Sequence, residues 1–194
     1  DPSHLRPEAD GGRTAWASLY TGAAGISVFL AALGRRFPGR GFRDGARRGL
    51  ESVAGILEAP PGAAGLRHEP LGACNGFGGL VYAMVVASDL LQDTALARRA
   101  LAGVGHITAD RIAADQRLDV EGGAAGAILG LLALDSAVES EAAVTSAAAC
   151  GRHLLEARRP GPDGGSSWPS RDGRMLAGFA HGASGCALAL ARLW

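Results

Sequence analysis

Gly178-Phe179-Ala180-His181-Gly182-Ala183-Ser184-Gly185, running straight into the apolar stretch Cys186 to Trp194, is the segment from which the fold is read. A histidine stands immediately before a Gly-x-x-Gly step, and the step opens a helix that is apolar on nearly every side. Variants of the unit occur three more times upstream: at Gly22 to Gly25 after Thr21, at Gly76 to Gly79 after Asn75, and at Gly123 to Gly126 after Gly122. The first glycines are 54, 47 and 59 residues apart, so the chain is a repeat protein with irregular linkers.

Between the steps the hydrophobic period alternates. Ile26 to Leu33, Leu80 to Ala87 and Ala127 to Leu134 are apolar all round, the mark of helices buried on every side. Each is followed by a striped, amphipathic segment with one wet face: Asp44 to Glu58, about 94–114, and about 141–158. Pro60-Pro61-Gly62 ends the first of these, because proline cannot continue the helical ladder. Residues 1–18 read as polar loop, and Pro160 to Arg174 as a long loop too polar to bury. No stretch holds a period of two long enough to predict a strand. The fold class is therefore all-α, with alternating inner and outer helices over residues 19–194 arranged as a curved or closed ring of hairpins.

With 19 basic and 19 acidic side chains the net charge is zero, which gives no electrostatic reason to expect nucleic acid or an anionic membrane as partner. Arg35-Arg36, Arg47-Arg48, Arg98-Arg99 and Arg158-Arg159 are read as solvated helix surface. Cys74, Cys150 and Cys186 are odd in number and form no C-x-x-C. That pattern speaks against a disulfide framework and for a reducing, cytoplasmic location. No apolar run approaches the about 18 residues of a membrane span.

Glycine at these steps has two uses: a sharp turn with positive φ, and close approach of the backbone to a neighbour or a ligand. Helix starts also present free N–H groups and a positive dipole end. Four in register predict one end of the ring lined by donors, while each step taken singly is equally served by tight helix packing. Cys74 is placed at a helix mouth facing the presumed cavity. Cys150 and Cys186 are read as small core residues. His4, His68, His106 and His153 are read as surface or satisfied histidines, Tyr20 and Tyr82 as core, and Phe77 as a residue of the mouth. Trp168 marks the 160–174 loop as a peptide contact.

Leu19 to Leu33, Asn75 to Tyr82, Asp119 to Leu129 and Gly178 to Gly185 resemble the lanthionine synthetase C-like family. The resemblance runs from about residue 16 to the end and is greatest to the C-terminal cyclase domain of class II (bifunctional) lanthipeptide synthetases. It implies a toroid of seven inner and seven outer helices, of which four repeats are present here. It also implies addition of a peptide cysteine thiol to dehydroalanine or dehydrobutyrine, giving a lanthionine or methyllanthionine thioether.

By position, His181 matches the family's proposed general acid/base, and Asp119 matches the aspartate that would orient it or aid proton transfer. Gly22, Cys74, Asn75, Gly76, Gly123 and Gly182 are the implied substrate-binding positions. The implied cofactor is Zn2+, held by two cysteines and a further cysteine or histidine, with the fourth position left for the substrate thiol. The motifs that carry those ligands, Trp-Cys-x-Gly and Cys-His-Gly or Cys-Cys-Gly, follow the fourth glycine step in the family and are not found in this sequence. The ligands are thus expected downstream of Trp194, and the chain as it stands is not expected to be a competent cyclase.

The implied partners are a precursor peptide already dehydrated at Ser or Thr, and a dehydratase domain in the same parent chain. A zinc-free α/α-toroid module that binds peptides is the alternative of another class. A toroid glycosidase is disfavoured, because it needs two carboxylates at the cavity and Asp119 alone is placed there. Exposed apolar flanks on the first and last inner helices predict self-association when the chain is made alone.

Overall fold

The computed structural model describes residues 16–161 and 164–194. Of the loop expected over 1–18, residues 1–15, with His4, lie outside the described residues, and 16–17 are helical. The inner helices are α1 (Ala23–Arg36), α3 (Phe77–Leu91), α6 (Ala124–Val138) and α8 (Ala183–Leu193). They pack in sequence, α1 on α3, α3 on α6 and α6 on α8. Behind them stand α2 (Phe42–Leu57), the short α4 (Thr94–Ala100) and α5 (Ala109–Ala114), and α7 (Glu141–Ala157). This is the all-α arrangement of inner and outer helices expected from the hydrophobic periods.

Three of the four outer helices start differently from the inner ones. Asp93, Thr108 and Ser140 cap α4, α5 and α7 with side-chain oxygens that accept a backbone N–H. The inner helices are capped by Gly22, Gly76, Gly123 and Gly182, whose φ of −117°, −137°, −113° and −144° is open to any residue. Positive φ is thus not what these glycines supply. Close approach is. A Cβ on the second glycine of each step, Gly25, Gly79, Gly126 or Gly185, would stand 2.1, 2.0, 2.1 or 2.0 Å from a backbone oxygen of Leu19, Ala73, Val120 or Phe179.

The same approach uses up the donors expected to ring the mouth. Gly79 N–H donates to Gly72 O at 3.0 Å, Gly126 N–H to Asp119 O at 3.2 Å, and Ala183 N–H to Leu176 O at 2.8 Å. The first-turn amides are closed on the preceding loop, so the mouth must be furnished by side chains.

The loops before the inner helices are tied laterally. Tyr20 N–H donates to Cys74 O (3.2 Å), Cys74 N–H to Glu121 O (2.9 Å) and Glu121 N–H to Ala180 O (3.1 Å). Each of these residues stands two positions before the first glycine of its step, so one repeat hands a hydrogen bond to the next in strict register.

Burial follows the neighbours. The middle helices α3 and α6 are the most buried, although Tyr82 on α3 is exposed, and they meet at glycine, where a Cβ on Gly130 would stand 2.2 Å from Gly78 O. The expectation that every inner helix is buried all round fails for α8, which buries Gly185, Cys186 and Ala189 and leaves Leu188 40% exposed, and for α1. Helix α1 hides Ala24, Ser27, Ala31 and Gly34 but leaves Ile26 60% and Phe29 63% exposed, because α3 covers one of its flanks. Arg35–Asp89 (3.1 Å), Arg47–Asp93 (3.0 Å) and Arg99 to Glu51 and Glu58 (2.8 and 2.6 Å) tie helices together across the surface. Such exposed pairs contribute about 0–1 kcal/mol each, so burial carries the fold.

Several local expectations are corrected. The amphipathic segment 94–114 is not one helix: a 3₁₀ turn, Leu101–His106, separates α4 from α5. Gly103 lies there with a Cβ position 2.5 Å from Val81 Cγ2, so the segment is pressed against α3 where a regular helix face would not fit. That turn carries His106 into the core. It is fully buried, stacks on Phe77 with ring centroids 4.4 Å apart, and donates Nε2–H to Leu57 O at 3.0 Å. Its Nδ1 has no hydrogen-bond partner among the described residues. Phe77 is therefore core and not mouth, while Tyr20 and Tyr82 are exposed.

The long loop contains a two-residue hairpin, β1 (Arg159–Pro160) with β2 (Ser166–Ser167), and a bridge between Pro169 and Met175. Trp168 is buried, and its indole N–H donates to Leu154 O at 2.7 Å. It anchors the loop to α7 and is not placed to meet a peptide.

Candidate active site

Asp119 and His181 lie 62 residues apart in sequence and meet at the mouth of α6 and α8. Asp119 is locked first. Its Oδ1 accepts the N–H of Gly122 at 2.8 Å, and its main-chain oxygen accepts those of Gly123 and Gly126. Only 8% of the residue remains exposed. Its second oxygen, Oδ2, lies 2.9 Å from His181 Nδ1. An ionised carboxylate only accepts, so the imidazole proton sits on Nδ1 and the lone pair of the neutral ring is left on Nε2. A fixed carboxylate has chosen the tautomer of a half-exposed histidine.

Around this pair is a cleft of about 580 Å³ with Arg117, Glu121 and Leu176 among its walls. Ser170, Arg171, Asp172 and Arg174 of the long loop close its other side. Glu121 accepts a hydrogen bond from the Asn75 side-chain amide, and Arg117 Nη1 lies 3.6 Å from its other oxygen. Asn75 therefore reaches the site through Glu121. Cys74, half-buried beside them, has its thiol pushed up by burial and then by the negative charges of Glu121 and Asp119. It is held as a neutral thiol.

Gly22, Gly76, Gly123 and Gly182 are buried as helix caps beneath the mouth and do not line the cleft. The structure thus brings together Asp119 and His181, sets Cys74 and Asn75 next to them, and keeps the four glycines behind. Glu121, Arg117 and the 170–174 loop were not singled out from the sequence. Repeat register was a signal for Glu121, since it occupies the same position before its glycine as Cys74 does. Nothing in the pattern marks Arg117 or Arg171.

A family model for lanthionine synthetase C-like proteins matches residues 15–194, almost the whole chain. The chain belongs to the lanthionine synthetase C-like family. No curated protein matches it significantly. Membership gives it, in general terms, a lanthionine synthetase-type cyclase role and accords with the inner and outer helices described above. Among the described residues no helix is long and apolar enough to cross a membrane.

Membership raises the question of zinc, and the donor set answers it for these residues. Asp119, Glu121 and His181 bring potential ligand atoms within 4.8 Å of one another, but no thiol is among them. Cys150 and Cys186 are fully buried, and burial pushes each thiol up to about 12. His181 turns its Nδ1–H to Asp119, and a guanidinium already stands against Glu121. The described residues do not fit the thiolate-rich zinc site that the resemblance implies. Glu121 and Asp172 give the cleft two further carboxylates where Asp119 alone was expected. All three accept hydrogen bonds from neighbouring groups, whereas a glycosidase needs one of its pair to donate a proton.

Proposed function

We propose that the chain is part of a lanthionine cyclase of the class II type, in which the cleft receives a peptide dehydrated at Ser or Thr. In the reaction a cysteine S–H adds across the C=C bond of dehydroalanine or dehydrobutyrine. The S–C bond forms at the β-carbon, the π bond breaks, and a proton is delivered to the α-carbon. His181 is the group that moves the proton, through Nε2, and Asp119 is the positioning residue that holds the tautomer and stabilises the imidazolium when it forms. The single observation behind this assignment is the 2.9 Å contact between Asp119 and His181 in a cleft large enough for a peptide segment. Zinc, which in such a cyclase deprotonates the substrate thiol, would be held by ligands expected beyond Trp194. The partner would be a precursor peptide from a dehydratase domain of the same parent chain, in the reducing cytoplasm.

The test uses the complete parent domain and a dehydrated peptide. Cyclisation leaves mass unchanged, so ring formation is read as loss of thiols available for alkylation. Asp119→Asn and His181→Asn should each slow ring formation by about 10²-fold or more at unchanged peptide affinity. Rates within threefold of the parent for both variants would sink the assignment. The second reading, a zinc-free peptide-binding module, is favoured by the scattering of the three cysteines. It requires peptide binding with no thiol consumed.

A further inference from the structure

Beside the cleft, and sharing Arg117 and Arg171 with it as walls, lies a second hollow of about 300 Å³. Its charge leans positive. Arg67, Arg111, Arg117 and Arg171 line it with His68, against the carboxylates of Glu69 and Asp115. Asp115 is spent inward, accepting the backbone N–H groups of Arg117, Leu118 and Ala124 at 3.0, 3.2 and 2.8 Å.

Arg111 is built in. It donates to Glu69 O at 2.8 Å and to Leu66 O, and its guanidinium lies 5.1 Å over the Phe77 ring. Arg67 gives its Nε–H to Gly62 O at 3.1 Å, also a neutral acceptor. Arg171 has no carboxylate partner among the described residues. With Arg117 shared with Glu121 at 3.6 Å and Glu69 and Asp115 also in the lining, the four guanidinium groups leave a small local excess of positive charge, carried by Arg67 and Arg171.

We propose that this hollow takes an acidic side chain, Asp or Glu, of the peptide being processed. The planar guanidinium fork matches a carboxylate in shape and charge. Because Arg117 and Arg171 face both hollows, a peptide anchored there enters the Asp119–His181 cleft within a few residues of its acidic anchor. The acid fixes register along the peptide, and so selects which residue is presented to His181. This inference rests on the cyclase reading for the identity of the ligand, but its charge preference is measured separately.

The test uses two fluorescent dehydrated peptides that differ only in Glu against Gln near the reacting cysteine, with binding read by anisotropy. The Glu peptide should bind about tenfold more tightly at low salt, the scale of one hydrogen bond to a charged group. The difference should shrink as salt screens it. Arg67→Gln, outside the cleft of His181, should remove most of that preference by weakening the Glu peptide, with Gln-peptide binding within twofold of the parent. Arg67→Glu should reverse the preference toward a Lys peptide. Equal binding of the Glu and Gln peptides, with ring formation intact, overturns the inference and spares the cyclase reading. So does an Arg67→Gln variant that weakens both peptides alike. Failure to bind or cyclise either peptide removes both.

Discussion

Replacing Gly126 by alanine inserts one methyl group where two loops of the mouth cross a helix start. The new Cβ would lie 2.1 Å from Val120 O, 2.3 Å from Ala73 N and 2.9 Å from Gly72 C. All three are backbone atoms of two different loops, so no side chain can swing aside. Restoring ordinary contact requires those segments to part by about 1 Å, and overpacking on that scale costs about 1–3 kcal/mol or more. Gly126 N–H also donates to Asp119 O, so the movement displaces the carboxylate that holds His181.

Gly55→Ala is the control. That position is helical and exposed in α2, nothing lies within 4 Å of its Cβ site, and alanine there should stabilise by about 0.5–1 kcal/mol. For a chain of this size 1 kcal/mol corresponds to about 2–4 °C in Tm. Thermal unfolding followed by circular dichroism should therefore show a rise of about 1–4 °C for Gly55→Ala and a fall of about 2–12 °C for Gly126→Ala. Two shifts of the same sign, or a Gly126→Ala variant as stable as the parent, would refute the close-approach argument.

Three further outcomes follow from the burial pattern. Burial, together with the nearby Arg111 charge, holds His106 below its ordinary 6.5, the Leu57 carbonyl opposing this. The unfolded chain therefore takes up the proton first, and stability falls as pH drops below about 6.5. His106→Gln should flatten the change in urea midpoint between pH 7.5 and 5.5, and an unchanged slope counts against it. Of the three thiols, Cys74 alone is half-exposed, so native alkylation at pH 8 should label it first and reach Cys150 and Cys186 only on unfolding. Mass spectrometry that finds all three labelled together rejects that order. The 194-residue chain should self-associate through the exposed Ile26 and Phe29, with Ile26→Lys/Phe29→Glu restoring the monomer by light scattering. A monomeric parent chain would contradict it.

What was legible in the sequence is what sterics writes into residue type. Four glycine pairs in register mark four loops that cross a helix start too closely for a Cβ, and the all-apolar runs after them mark the inner helices. Asp119 and His181 were marked by the family resemblance and not by sterics, and the fold brings the two side chains within 2.9 Å. Less local features were hidden. His106 looks like any outer-helix histidine until the 3₁₀ turn carries it onto Phe77. Tyr82 belongs to an apolar run, yet its angle on α3 leaves it exposed. Arg117 and Arg171 carry no pattern at all, because only the path of the long loop, pinned by Trp168, brings them to one place.

The lateral hydrogen bonds from Tyr20 through Cys74 and Glu121 to Ala180 separate framework from furnishing. Every link is main chain to main chain, so the scaffold of the mouth is indifferent to which side chain each station carries. A phenol, a thiol, a carboxylate and a methyl group already occupy the four stations. Such a mouth can be refitted one station at a time, with its chemistry changed and its geometry kept.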